Sequence, residues 1–409
     1  MEKLLILTDY VARTGFGTVG KNIVNEIRRS FPDLKKTIVA INYFGEPFWE
    51  DENTYVISAR TNDINDDPYG RYFFLKFLQE NDYDSVFICQ DIGVIRPFTE
   101  VLEHIKREKK EANKKSFKSI FYFPIDCQII EELTKGIEFF DLLVTYTEFG
   151  RKEILKHKPE LKGKIKVIPH GNNSKDFYPL STEEITSFRK EYFGDNADKF
   201  IITNVNRNQP RKDIPNTIFG FVEAKKIWDK SLPDPFLYLH CHPKDPMGWD
   251  LRAIFLQLDL VEDVDYKLLP ATLEDAMADT EMVNKIYNAS DVFLSTTLGE
   301  GWGLTYSEAA ACKVPIIAPY TTSFMEMSNY GKNAYMLETI IPICQLNDNV
   351  IREQTDIYEI ADLLLLVAQE KQKNSPNLKQ KIEDNYKWIK DLEWSSVCKM
   401  WTEYFKKTF

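Results

Sequence analysis

The sequence has no uninterrupted apolar run of the roughly 18–20 residues that a membrane span requires. The apolar start, Leu4–Leu7, ends at Thr8-Asp9 and lacks the longer apolar core and small-residue site of a secretory signal. A first buried strand in a cytoplasmic protein is the expectation. No Cys-x-x-Cys pair occurs among the six cysteines, so neither a zinc cluster nor a disulfide framework is indicated. Low-complexity tracts and internal repeats are also missing. With 43% hydrophobic and 13% aromatic residues, the 409-residue chain has material for two packed cores rather than one.

Charge is unevenly spread. Residues 1–170 hold 27 acidic and 26 basic side chains, and the remainder holds 36 and 26, so nearly all of the net −11 lies in the second part. A polyanion would meet the first part more readily.

Short apolar runs alternate with amphipathic stretches. Strands are expected at 3–8, 37–41, 85–88, 119–123, 142–145 and 166–168, with helices between them at 19–30, 72–81, 92–111 and 150–157. The pattern restarts at 200–204 and continues through 214–227 (helix), 236–239, 282–288 (helix), 292–295, 305–311 (helix) and 315–318. Three helices, about 357–371, 377–388 and 395–407, close the chain. Strand–helix alternation implies parallel α/β sheets, here in two Rossmann-like domains facing across a cleft. The expected division is 1–172 for the first domain, a polar linker at 173–198 and 199–392 for the second.

Three loops carry candidate chemistry. The first, Thr8–Gly20, contains a literal GxGxxG at Gly15, Gly17 and Gly20. In dinucleotide-binding folds these glycines follow the strand closely and admit a pyrophosphate to a helix N-terminus. Here about seven residues intervene, and the second strand ends in Ile41-Asn42-Tyr43 without a ribose-binding carboxylate. An NAD-dependent oxidoreductase is therefore a weak alternative, though Gly15 and Gly17 predict a tight turn at a helix start. The second loop, Asn206–Asp213, places Arg207 and Lys212 between a strand and a helix, where a pair of cations suits a pyrophosphate. The third, Leu298–Ala310, sets Glu300 and Glu308 with seven residues between them, Gly301 and Gly303 included. Its glycines let N–H groups approach a ligand, and its carboxylates suit sugar hydroxyls.

The combination resembles the retaining GT-B glycosyltransferases of the family-four, or group 1, type. The motifs that carry the resemblance are Arg207-x4-Lys212, Ile286–Ser295, Glu300-x7-Glu308 and Val314–Ala318. Val144–Gly150, Val167–Asn172 and Leu392–Ser395 add to it, and the last of these implies that helix 393–409 crosses back to the first domain. The resemblance implies transfer of a sugar, from a UDP-sugar by preference, to an acceptor hydroxyl with retention. Arg207 and Lys212 would hold the donor diphosphate in place of a metal, and no cofactor is expected. Glu300 would meet the transferred sugar, with Gly303, Leu304 and Thr305 nearby, and Glu308 the ribose. Gly15 and Gly17 are further donor-side candidates, and Asp126 and His170 are expected on the acceptor side. Two departures stand out. The usual Gly-Gly turn after Pro319 is replaced by Tyr320-Thr321-Thr322-Ser323, and the histidine commonly preceding Asp126 is Ile125.

The acceptor is expected to be a glycan, a lipid-linked sugar or hydroxymethylated DNA. The stretch 103–118, with seven basic and three acidic residues, is a solvated helix or a contact strip for an anionic surface. A sugar-binding module without catalysis is a further alternative. Asp263-Val264-Asp265 matches the metal signature of a different transferase fold but lacks its companions. His240-Cys241-His242 reads as a strand end, since neighbouring side chains on a strand point apart.

Overall fold

A computed structural model describes residues 2–12, 14–59, 67–269, 279–345 and 350–406. Arg13 in the first loop and residues 407–409 of the expected last helix lie outside the described residues. The chain forms two compact units, residues 1–171 with 394–409, and residues 172–393.

In the first unit, the strands are β1 (Lys3–Thr8), β2 (Lys35–Ala40), β3 (Phe48–Asp51), β4 (Thr54–Ser58), β5 (Ser85–Cys89), β6 (Lys118–Phe123), β7 (Leu142–Thr145) and β8 (Ile165–Val167). Among the described residues they form one sheet in the order β3-β4-β2-β1-β5-β6-β7-β8. All neighbours are parallel except the β3–β4 edge pair. Strands covered on both faces need continuous apolar sequence, and Leu4–Leu7 and Val86–Ile88 are fully buried. The helices are α1 (Gly15–Ser30), α2 (Arg71–Glu80), α3 (Arg96–Glu111) and α4 (Glu148–His157).

The helix start expected at Gly15 and Gly17 is where α1 begins, with Thr14 capping the turn into it. Gly15, Gly17 and Gly20 all lie within α1. Thr14 caps the helix by accepting from the Gly17 N–H at 2.9 Å, and its hydroxyl donates to Asp9 at 2.9 Å. A Cβ on Gly17 would fall 1.9 Å from the Ala12 carbonyl oxygen, and one on Gly20 would lie 2.4 Å from Thr8 Oγ1. Glycine is needed here so that α1 can press against its own entry loop and β1.

The second unit holds β9 (Phe200–Val205), β10 (Pro235–His240), β11 (Tyr266–Leu268), β12 (Val292–Leu294), β13 (Ile316–Pro319) and β14 (Tyr335–Leu337). Their order is β11-β10-β9-β12-β13-β14, and an antiparallel ribbon joins β15 (Thr339–Cys344) to β16 (Ile351–Thr355). Its helices are α5 (Thr182–Phe193), α6 (Ile214–Ile227), α7 (Leu251–Gln257), α8 (Thr280–Asn288), α9 (Leu304–Ala311), α10 (Thr322–Met327), α11 (Ile357–Gln372) and α12 (Pro376–Asp391). A core of Ile202, Ile218, Phe221, Leu237, Leu294 and Leu364 lies between sheet and helices.

The segment expected as a linker, 173–198, carries α5 and groups with the second unit. Ser181 and Glu184 form a capping box at its start. Arg189 donates to the Ala289 carbonyl at 2.8 Å and pairs with buried Asp291, and Tyr192 meets Tyr238 hydroxyl to hydroxyl at 2.9 Å. Its polar residues serve these contacts rather than a free tether.

The last helix, α13 (Trp394–Phe405), belongs to the first unit. Trp401 is fully buried with its ring edge-on to Phe87 at 5.7 Å and to Tyr122 at 4.8 Å. No described helix is long and apolar enough to cross a membrane.

Candidate functional site

The strand order of the second unit reverses between β9 and β12. From β9 the chain proceeds outward to β10 and β11, and from β12 it proceeds the other way to β13 and β14. β9 and β12 are parallel neighbours, so the loops leaving their carboxyl ends start side by side. Such a switch point is where open α/β sheets bind ligands. The two loops are 206–213 and 295–303, which hold the cations and the first glutamate.

Buried polar groups fix both loops. Asn208 is fully buried, and its amide donates to the Trp249 carbonyl at 2.7 Å and the His242 carbonyl at 3.2 Å. Pro210–Lys212 make one 3-10 turn, after which Asp213 adopts a left-handed conformation at φ 47°. Burial raises the Asp213 carboxyl to about 6, against a hydrogen bond from Gln354. The loops are then stitched together. The Leu298 N–H donates to the Arg211 carbonyl at 2.8 Å, and the Thr296 hydroxyl to the Asp213 carbonyl at 2.9 Å.

Glu300 sits in this junction, and its side chain retains 10% exposure. Lys212 Nζ pairs with Oε1, and Arg211 Nη1 lies 3.1 Å from Oε2. Arg211 also donates to the Gly299 carbonyl. Burial alone would raise the Glu300 carboxyl, but the charges of Arg211 and Lys212 outweigh it and hold the group down to about 2. The carboxylate is therefore ionised throughout the neutral range.

The replacement of Gly-Gly has a structural consequence here. Thr322 holds φ 46°, and its hydroxyl accepts the Glu300 N–H at 2.9 Å. Left-handed backbone at a β-branched residue costs roughly 1–3 kcal/mol. The hydroxyl fixes the Glu300 backbone in return, which a glycine could not do. Gly303 is also left-handed at φ 119°, and a Cβ there would lie 2.3 Å from Phe324 Cε1. It caps α9, whose first residues are Leu304 and Thr305, where N–H groups and the helix dipole favour an anion.

Glu308 lies on α9 and is half-buried. Tyr287, fully buried on α8, donates its hydroxyl proton to Oε2 at 2.9 Å. Burial lifts the Glu308 carboxyl to about 7, opposed by the Tyr287 hydrogen bond and reinforced by the charge of Asp176.

The structure thus unites Lys212 with Glu300 and adds Arg211, which the spacing argument missed. Arg207 turns to Asp245 at 2.9 Å, with 55% of its side chain exposed. The signal for Arg211 was present as a third cation beside Lys212, but sequence does not say which side of a one-turn helix faces the neighbouring loop. In the first unit, Asp126 lies half-buried in the loop after β6. His170, also expected on the acceptor side, packs among aromatic rings. It is buried against Tyr146 at 4.1 Å and Trp394 at 6.4 Å between ring centroids, and desolvation lowers it to about 3, so the ring is neutral.

Residues 271–348 match the family Glycosyl transferases group 1. Over 338 residues the chain is 25% identical to "Probable sucrose-phosphate synthase" of Thermosipho melanesiensis, covering 76% of this chain and 70% of that protein. It is 32% identical over 181 residues to "Alpha-monoglucosyldiacylglycerol synthase" of Acholeplasma laidlawii, covering 44% of this chain and 41% of that one. The fold is shared with the sucrose-phosphate synthase of Thermosynechococcus elongatus at TM-score 0.70, with 13% identity across 100% of this chain and 99% of that one. Anabaena HepE, solved with UDP and glucose, superposes at TM-score 0.65, with 12% identity over all of both chains. The chain is a GT-B glycosyltransferase. It resembles the family-four enzymes, and the relatives it matches are sugar transferases rather than oxidoreductases.

Several other sequence features of this glycosyltransferase resolve into structure. In the 103–118 stretch, Lys106 pairs with Asp141 at 2.6 Å, Lys109 with Asp82 at 2.7 Å and Lys115 with Asp84 at 2.5 Å. Those three lysines are neutralised within the first unit. Asp263 and Asp265 shape the turn before β11. Asp265 accepts the Val261 N–H at 2.9 Å and pairs with Lys225. His240 meets the Tyr238 hydroxyl at 2.9 Å, and His242 Nδ1 accepts the Lys244 N–H at 3.1 Å, so the two histidines have separate tasks.

Proposed function

We propose that this glycosyltransferase moves a hexose or pentose from a nucleotide diphosphate-sugar, a UDP-sugar by preference, to an acceptor hydroxyl with retention of configuration. The observation that carries the proposal is the convergence of Lys212 and Glu300 on two loops at the sheet's switch point. The costly step is departure of the diphosphate, which leaves oxocarbenium character on the sugar. Lys212 and an arginine of the 206–213 loop stabilise the developing negative charge, aided by the N–H groups at Gly303, Leu304 and Thr305. Glu300 orients the sugar by accepting from its hydroxyls, and Glu308 does the same for the ribose. The UDP held by HepE is in keeping with the donor class.

The test is a panel of UDP-, ADP- and GDP-sugars scored for slow hydrolysis without acceptor, followed by acceptor screening with the donor that turns over. The expected result is release of the nucleoside diphosphate from one donor class, and hydrolysis of none would refute the reading.

A pH dependence follows from Glu308. Its carboxyl is at about 7, so the ionised form, the better acceptor for two hydroxyls, declines as pH falls below neutrality. Donor KM is expected to rise between pH 8 and pH 6 by about an order of magnitude. In Tyr287→Phe the hydrogen bond that lowers this carboxyl is gone, so the midpoint moves to higher pH. A KM profile identical in the two proteins would separate Glu308 from donor binding.

A further inference from the structure

The β15–β16 ribbon is tied by buried hydrogen bonds to the 206–213 loop and the start of α6. Gln354, the fourth residue of β16, donates from Nε2 to Asp213 Oδ2 at 2.7 Å. Thr355 follows it, and both its carbonyl and its hydroxyl accept from Asn216 Nδ2 at 2.9 Å. Asp213, Asn216 and Thr355 are all buried. These inward contacts of the ribbon are polar, and one of them ends on the residue that follows Lys212.

Asp213 is where the loop changes course. The 3-10 turn Pro210–Lys212 ends there and α6 begins at Ile214, with φ 47° at Asp213 between them. A residue with a Cβ disfavours this left-handed region, and aspartate occupies it when its short side chain is hydrogen-bonded. Burial pushes the Asp213 carboxyl up to about 6, and its two donors, Gln354 and the Asn216 N–H, oppose that rise. Asn216 belongs to the helix that Asp213 itself starts, so Gln354 is the donor that comes from a separate element, 141 positions away. Without it the buried carboxylate loses a partner, and the backbone can relax toward the right-handed region. Lys212 is the preceding residue, and its direction toward the β12 loop depends on that turn. Resting on the donor-site reading above, we propose that Gln354 is a positioning residue for donor binding, which locks Asp213 in the left-handed conformation that aims Lys212 at the diphosphate.

Calorimetric titration with UDP, ADP and GDP on wild type identifies the nucleoside diphosphate that binds. If none binds, the donor-site reading itself fails, together with this proposal. With the ligand found, Gln354→Met, which keeps the length of the side chain and removes the donor, is expected to bind about tenfold more weakly. Gln354→Lys, which restores a donor, is expected to recover most of the loss. Gln354→Glu sets a second carboxylate against Asp213 and is expected to bind more weakly than Gln354→Met. A general loosening of the ribbon would not follow this order, and equal affinity in the three variants would overturn the proposal. The second comparison uses Asp213→Gly, in which the left-handed conformation needs no lock. Adding Gln354→Met to that background is expected to change affinity less than about twofold relative to Asp213→Gly itself. Circular dichroism confirms that each variant is folded. Wild-type affinity in Gln354→Met would overturn the lock while leaving the donor-site reading intact, as would an equal loss from Gln354→Met in both backgrounds.

Discussion

Lys212→Ala is expected to lower kcat for sugar transfer roughly 10²–10³-fold, the usual cost of removing one preorganised group from a developing charge. Glu300→Ala is expected to be at least as damaging, since in the proposed function Glu300 orients the sugar. The two variants should part company in binding. Lys212→Ala weakens the diphosphate contact, whereas Glu300→Ala leaves Arg211 and Lys212 without the carboxylate they share. Both cations then depend on solvent or ligand, so a bound nucleoside diphosphate should raise the Tm of Glu300→Ala more than that of wild type. Steady-state kinetics with the donor found by the panel, alongside thermal melts with and without nucleotide, checks both statements. A kcat within threefold of wild type in either variant would remove that residue from the chemistry.

Asp291→Ala is expected to be the most destabilising substitution among those considered, at about 3–5 kcal/mol for the second unit. Asp291 is buried, and it receives Arg189 from α5, Lys371 from α11 and the Ile201 N–H of β9 at 2.7 Å. Burial raises its carboxyl, but Lys371 and Arg189 outweigh that and keep it below the ordinary range. Removal strands two cations and one backbone donor next to the start of β12, the strand that leads to the Glu300 loop. Asp291→Asn retains part of the hydrogen bonding and is expected to cost less. Urea denaturation followed by fluorescence reports the difference through its midpoint. Equal midpoints for Asp291→Ala and wild type would show that α5 and α11 are held by packing alone.

How much was legible in advance differs by element. The parallel strands that are buried on both faces appear as continuous apolar runs, and β1, β5, β6, β9 and β10 sit where those runs lie. The ribbons β3–β4 and β15–β16 were not anticipated. Trp49 on β3 and Ile340 and Ile351 on β15–β16 are exposed, so those strands lack a continuous apolar run, and β4, which buries Val56 and Ile57, is only five residues long. The polarity of 173–198 suggests a linker. The same polar residues instead cap α5 and tie it to Asp291.

The sequence by itself determined that two glutamates lie in a glycine-rich loop after an apolar strand, and that cations lie in a loop after another. These are local facts, set by spacing and residue type. Only the tertiary structure decided which cations and which carboxylate meet. Lys212 and Glu300 are 88 positions apart, and they touch because β9 and β12 are neighbours at the point where strand order reverses. Strand order is a property of how the whole sheet buries its faces, and no window of sequence contains it. The choice of Arg211 over Arg207 follows the same rule. Both are basic residues of one loop, and the rotation of a single turn, fixed by Asn208, Pro210 and left-handed Asp213, directs one toward Glu300 and leaves the other with Asp245.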